Sequence, residues 1–135
     1  FGVETALRPL HGVREVERME ILGRFPNGVP GAAAMGGTDG GLVVYIGTLN
    51  APAKLLRNIL AASGVHIYLD SDDVLVTDGE FLSITASNTG LKRVKLPDTH
   101  AVTRIVPDSK DLGVVEDFAE EFEMGETRFY RLKPK

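Results

Sequence analysis

The sequence predicts an α+β, mainly β protein: a three-stranded β-β-β-α piece followed by a small antiparallel β-sandwich. Three observations carry this. Short apolar runs alternate with period two over the second half. Gly, Asp, Asn and Pro clusters separate those runs at regular intervals. One segment alone, 51–63, has convincing helical periodicity.

Taken in chain order, residues 1–17 are mixed, with Pro9 and Gly12 interrupting any long element. "MEILGRF" (19–25) alternates as a strand and is stopped by Pro26-Asn27-Gly28. "PGAAAMGG" and "GLVVYIG" flank Thr38-Asp39-Gly40-Gly41, and Asp-Gly between apolar runs predicts a hairpin with a type I′ turn. "LVVYI" is apolar on both faces, which predicts a central strand covered on each side. In "APAKLLRNILAAS", Asn50 is the expected N-cap, Pro52 suits the first turn, and Gly64 sits where a left-handed C-terminal cap belongs. Leu55, Leu56, Ile59 and Leu60 form the expected buried stripe.

Past Gly64, "VHIYL", "DVLVT", "EFLSITA", "LKRVKL", "HAVTRIV" and "TRFYRL" read as six short strands. "VVEDFAEEFEMG" (114–125) fits either a helix or a strand, and the bracketing Gly113 and Gly125 favour extended structure. The expected division is a partial α/β piece, 1–65, and an antiparallel β-sandwich, 66–135.

Composition narrows the function classes. With 135 residues the chain suits one domain or two small ones, and it buries enough surface to fold without staples. It has no cysteine, which removes disulfides, zinc–thiolate sites and cysteine nucleophiles. A net charge of -4 with scattered Lys and Arg argues against a nucleic-acid partner. No apolar run is long enough to span a bilayer as a helix, and no signal peptide is visible, so the expectation is a soluble chain. The start at Phe1 rather than Met reads as a fragment or a processed product.

The candidate for chemistry is "VHIYLDSDDVLVTDGEFLSIT", with Asp70, Asp72, Asp73 and Asp78. An EF-hand loop starting at Asp70 needs an oxygen ligand at 74, Gly at 75 and Glu at 81, where the chain has Val74, Leu75 and Phe81. A catalytic carboxylate pair needs two acids about 5 to 10 Å apart on rigid elements, whereas these share single turns. They therefore read as water-solvated turn residues. "GGTDGG" lacks the Lys-Ser/Thr and helix of a phosphate loop. No His-x-x-x-His spacing and no Gly-x-Ser-x-Gly elbow occurs, and His66 reads as a core or interface residue making one hydrogen bond. No catalytic, metal or cofactor residue is expected. Tyr45, Tyr68 and Tyr130 are the candidate carbohydrate-stacking side chains, and each is equally a good interior strand residue.

The order of elements adds a resemblance. Tyr45-Ile46-Gly47, Leu55-Leu56-Arg57, Gly64 to Tyr68, Asp72-Asp73-Val74, Leu82 to Ala86, Lys92 to Pro97 and the closing "MGETRFYRL" follow one another as in the C-terminal part of bacterial family-42 (β-galactosidase-like) glycoside hydrolases. The likeness spans about residues 19–132. "LGRF…GAAAMGG" resembles the tail of the amidotransferase-like trimerisation domain of such enzymes, and residues from about 66 onward resemble their small C-terminal β domain. The resemblance implies a non-catalytic accessory domain supporting domain packing or subunit assembly, with a catalytic (β/α)8 barrel or other subunits as partners and a homo-oligomer as one form. The family's catalytic glutamates belong to the barrel, so no catalytic residue is carried over. A partial α/β domain of this kind is expected to expose apolar surface on "LVVYI" or on the Leu55–Ile59 stripe. A stand-alone carbohydrate-binding module is the alternative.

Overall fold

The computed structural model describes residues 11–48 and 51–135. The chain divides into two compact units, Phe1–Val65 and His66–Lys135. The α+β, mainly β class holds, with an antiparallel sheet in each unit and one short helix. Among the described residues no helix is long and apolar enough to cross a membrane.

The first unit holds β1 (Glu20–Arg24), β2 (Pro30–Gly36) and β3 (Leu42–Ile46), ordered β1-β2-β3. Its two hairpins are built alike. Phe25 N–H donates to the Val29 carbonyl (2.9 Å) and Gly37 N–H to that of Gly41 (2.6 Å), each closing a three-residue loop. The third loop residue is Gly28 or Gly40, at φ 83° and 82°. The second is Asn27 or Asp39, whose Oδ1 accepts from Val29 N–H (3.2 Å) or Gly41 N–H (3.1 Å). Among the described residues no non-glycine residue has positive φ, so the expected type I′ turn at Asp39-Gly40 is replaced by this bulged three-residue loop.

Two successive hairpins put the middle strand at the centre, so β2 and not β3 is covered. Ala33 and Ala34 are buried, whereas Leu42 is exposed and Val43 is 56% exposed. "LVVYI" is therefore an edge strand, because a helix and not a fourth strand follows it. Val13 N–H donates to the Pro30 carbonyl (2.9 Å), which ties the preceding segment to β2.

The helix α1 spans Ala53–Ala62, with Pro52 just outside it rather than in its first turn. Asn50, the expected cap, lies outside the described residues. At the other end Gly64, φ 81°, donates to the Ala61 carbonyl and Val65 N–H to that of Leu60, both at 3.0 Å. This is the glycine cap the sequence predicts, in its Schellman form. The predicted stripe departs from expectation: no residue of α1 is buried, and Leu56 and Leu60 are exposed.

The second unit holds β4 (Val74–Thr77), β5 (Phe81–Thr85), β6 (Gly90–Val106), β7 (Lys110–Phe122) and β8 (Thr127–Pro134), ordered β4-β5-β8-β6-β7. "LKRVKL" and "HAVTRIV" form one strand, β6, because Pro97-Asp98 is absorbed in an irregularity between Lys95 and His100 and does not end it. Proline is tolerated where the ladder is already broken. On both sides of that break even-numbered residues of β6 point inward. Val94, Leu96 and Val102 thus join Leu82, Ile84, Phe118, Phe122, Tyr130 and Leu132 in one core. This gives the unit its sandwich-like interior. Residues 114–122 are extended, as expected, with Phe118, Glu120 and Phe122 inward.

"VHIYL" is not a strand. It lies beside β6, with Lys95 N–H donating to the Tyr68 carbonyl (2.9 Å) and His66 Nε2 donating to the Lys95 carbonyl (2.9 Å). The imidazole takes the acceptor that a neighbouring strand's N–H would otherwise use. His66 makes the one hydrogen bond expected of it, from an exposed position and not from the core.

Candidate functional site

The aspartate-rich bends are the first place to look for chemistry. Asp78 is a turn residue as predicted: its Oδ1 accepts from Glu80 N–H (3.0 Å) and Phe81 N–H (2.8 Å). Those N–H donors hold its carboxyl below the usual range, against a small opposing effect of burial. Asp70 and Asp72 are exposed.

Asp73 departs from expectation. Its side chain is 0% exposed, and it forms an ion pair with Lys92 Nζ at 3.1 Å, whose side chain is 3% exposed. It also accepts from Ser71 Oγ (2.5 Å), Ser87 N–H (2.8 Å) and Ser87 Oγ (3.0 Å). Burial pushes its pKa up, but these donors outweigh burial and hold the carboxyl at about 2. Protein groups, not water, solvate Asp73. With its acceptor sites filled and its charge balanced, the carboxylate is a clip joining the turn before β4 to β6.

A second buried charge lies on β7. Glu120, side chain 7% exposed, receives Arg104 Nη1 (2.7 Å) and Lys110 Nζ (3.1 Å) on Oε1. Oε2 receives Arg128 Nη1 (3.1 Å) and the Tyr130 hydroxyl (2.9 Å). Arg104 also meets Asp108 (2.8 Å), and Arg128 meets Glu126 (2.6 Å). Burial pushes the Glu120 carboxyl up, but the Tyr130 hydroxyl and the three cations lower it overall. Burial, together with the Glu120 carboxylate, keeps the Tyr130 phenol protonated well above its ordinary range. Three cations face three carboxylates, so no charge is left over for a ligand.

This network decides the fate of one predicted carbohydrate residue. Tyr130 is 0% exposed, its ring packs on Phe118 (centroids 4.9 Å apart) and its hydroxyl is committed to Glu120. It offers no face to a sugar. Tyr45 is partly exposed and donates through its hydroxyl to the His11 carbonyl (2.7 Å). Tyr68 is partly buried against the core and also lines an open depression of about 420 Å³ with Pro97, Asp98, Thr99, His100 and Pro134. Tyr130 is interior and forms no shared surface with Tyr68, and Tyr45 belongs to the first unit.

His100 also lines this depression. It is buried, and its Nδ1 donates to the Asp98 carbonyl at 2.7 Å. A carbonyl only accepts, so Nδ1 carries a proton, and in that tautomer Nε2 is the acceptor. The signal was present in the pattern: His100 falls on the even, inward set of β6, beside the proline that marks the break.

No family model, curated protein or solved structure matches the chain. The site must be read from its own chemistry. Among the described residues, no group of three or more His, Asp or Glu side chains is placed to hold a metal ion. The acids are instead paired, as at Asp73 and Glu120, or committed to turns, as at Asp78.

The other distinctive surface is apolar. In the first unit Val16, Leu22, Val29, Met35, Leu42, Val43, Leu56, Leu60 and Val65 are all exposed, touching every strand and the helix. In the second, register places exposed Val76, then Ser83, Phe129 and exposed Val106 in one row across β4, β5, β8 and β6. Phe129 stacks on Phe81 at 5.5 Å. Single exposed apolar residues are ordinary on a protein surface, whereas contiguous apolar patches are the kind of surface used for interactions.

Proposed function

We propose that the chain is a non-catalytic accessory domain of a carbohydrate-active enzyme of the β-galactosidase-like kind, with the first unit as its docking element. The carrying observation is the uncovered apolar surface of that unit, from Leu42 and Val43 on the β3 edge to Leu56 and Leu60 on α1. The ordered resemblance of residues 19–132 to the C-terminal part of family-42 glycoside hydrolases supports the carbohydrate context. The partners that fit are the parent protein's catalytic (β/α)8 barrel or other subunits, a second copy of the chain included.

Two measurements test this. The chain incubated with aryl glycosides is expected to give no turnover. Turnover abolished by one substitution at a described acid overturns the proposal. The chain is also expected to bind an apolar fluorescent dye, with Leu56→Glu plus Leu60→Glu reducing the signal and leaving the circular dichroism spectrum unchanged. Each exposed leucine contributes apolar area worth about 25 cal/mol per Å² when covered, so charging both removes a large part of the docking energy. Dye binding untouched by the pair places the sticky surface elsewhere and overturns the docking role of α1.

A further inference from the structure

We infer that the depression between Tyr68 and the Pro97–His100 break of β6 binds a neutral, polyhydroxylated ring compound of the pyranose type. The inference goes beyond the accessory reading and stands on a different unit, so either can fail alone.

The break supplies the site's shape. β6 runs irregularly between Lys95 and His100, and this frees Pro97, Asp98 and Thr99 from regular pairing with β7. The depression they form with Tyr68 and Pro134 measures about 420 Å³, within the roughly 300–1,000 Å³ of small-molecule sites. Three rings, Tyr68, Pro97 and Pro134, give it apolar walls. His66 meets Tyr68 perpendicularly at 4.6 Å and is itself anchored on the Lys95 carbonyl, so the phenol ring is held in orientation before any ligand arrives.

Its polar groups are of the kind a hydroxylated ring uses. His100 lines the depression with its Nδ1 donating to the Asp98 carbonyl, and an unprotonated Nε2 is an acceptor. The exposed Asp98 carboxylate is a second acceptor. Thr99 Oγ1 donates to Glu116 Oε1 (2.9 Å), which leaves its oxygen lone pairs free to accept. These acceptors suit hydroxyl donors, and Lys135, which also lines the depression, balances the Asp98 charge, so the rim has no excess of either sign to select an ionic ligand. An aromatic ring presents a negative face, which attracts the slightly positive C–H groups on one side of a pyranose. One apolar wall and several acceptors thus match a molecule with one C–H face and a rim of hydroxyls.

The test titrates the full chain with methyl β-galactoside, methyl β-glucoside and β-linked disaccharides of each, read by amide chemical shifts and calorimetry. Saturable binding near 1 mM or tighter, with shifts confined to Tyr68 and 97–100, is the expected result. Tyr68→Ala should abolish binding, Tyr68→Phe should preserve it, and Asp98→Ala should weaken it by about tenfold. Asp98 is exposed, so that variant stays informative if Tyr68→Ala unfolds. Absence of saturable shifts with every glycoside up to solubility overturns the inference. Binding indifferent to Tyr68→Ala in a folded variant, or mapped to Tyr45, also overturns it.

Discussion

Glu120→Ala is expected to destabilise the chain by about 3–5 kcal/mol in urea denaturation, the range for breaking a buried ion pair by removing one partner. The carboxylate is the meeting point of Arg104, Lys110, Arg128 and the Tyr130 hydroxyl. Removing it leaves two guanidinium groups, each only 10–13% exposed, with one carboxylate apiece at Asp108 and Glu126. It also strands a fully buried phenol hydroxyl, a loss of about 1–3 kcal/mol by itself. Glu120→Gln keeps an acceptor for Tyr130 and should cost less, while Tyr130→Phe removes only the hydroxyl and should cost least. That ranking separates a charge hub from a generic packing position. A Glu120→Ala variant within about 1 kcal/mol of the parent would show that the cations rearrange around Asp108 and Glu126 and that Glu120 is dispensable.

The parts of this architecture that were legible in the sequence are those fixed by local chemistry. Asp39-Gly40 announces a hairpin, and Pro26-Asn27-Gly28 the end of a strand, because only glycine takes positive φ without cost and the preceding side chain caps the loop. Gly64 announces the helix end for the same reason. Turn subtype was less legible, since the extra loop residue that separates a bulged loop from a type I′ turn depends on where pairing stops. The rank of "LVVYI" in the sheet was illegible for a non-local reason: its composition is that of a covered strand, but cover comes from neighbours, and the strands that follow it pair in a different sheet. The same holds for the Leu55–Leu60 stripe, whose spacing is helical and apolar whether or not something sits on it.

The site was harder to read. Lys92, Arg104 and Glu120 alternate with apolar residues on inward positions, and polarity alone places them outside. What puts them inside is the parity set by Val94, Val102, Phe118 and Phe122, and opposite charges on facing strands make that parity tolerable. Once Glu120 is inside, Tyr130 is drawn to it, so a tyrosine that looks available for stacking is consumed by the core. Tyr68 escapes because "VHIYL", whose carbonyl at Tyr68 accepts from Lys95, is held by one backbone bond and one imidazole and not by a full ladder.

Asp73→Ala should cost a similar 3–5 kcal/mol, because it strands the Lys92 ammonium, 3% exposed, with Asn88 Oδ1 (2.7 Å) as its remaining partner. Asp73 adds a pH signature that Glu120 does not define as sharply. Its carboxyl is held at about 2 instead of 3.8, so the folded state favours the ionised form. A depressed pKa contributes stability that is fully present above the unfolded value and disappears as pH falls through the folded one. The window therefore runs from about pH 4 down to about pH 2, and the size is about 2 kcal/mol. Asp73→Asn should flatten that part of the stability–pH curve while keeping, on its single amide oxygen, the acceptor for Ser87 and losing the one for Ser71. Lys92→Met tests the other side: the aspartate keeps three hydrogen bonds from the two serines, so losing the lysine should cost less than losing the aspartate. If Lys92→Met costs as much as Asp73→Ala, the ion pair and not the serine cage holds the turn to β6, and the acid limb of the curve should then shift upward with it.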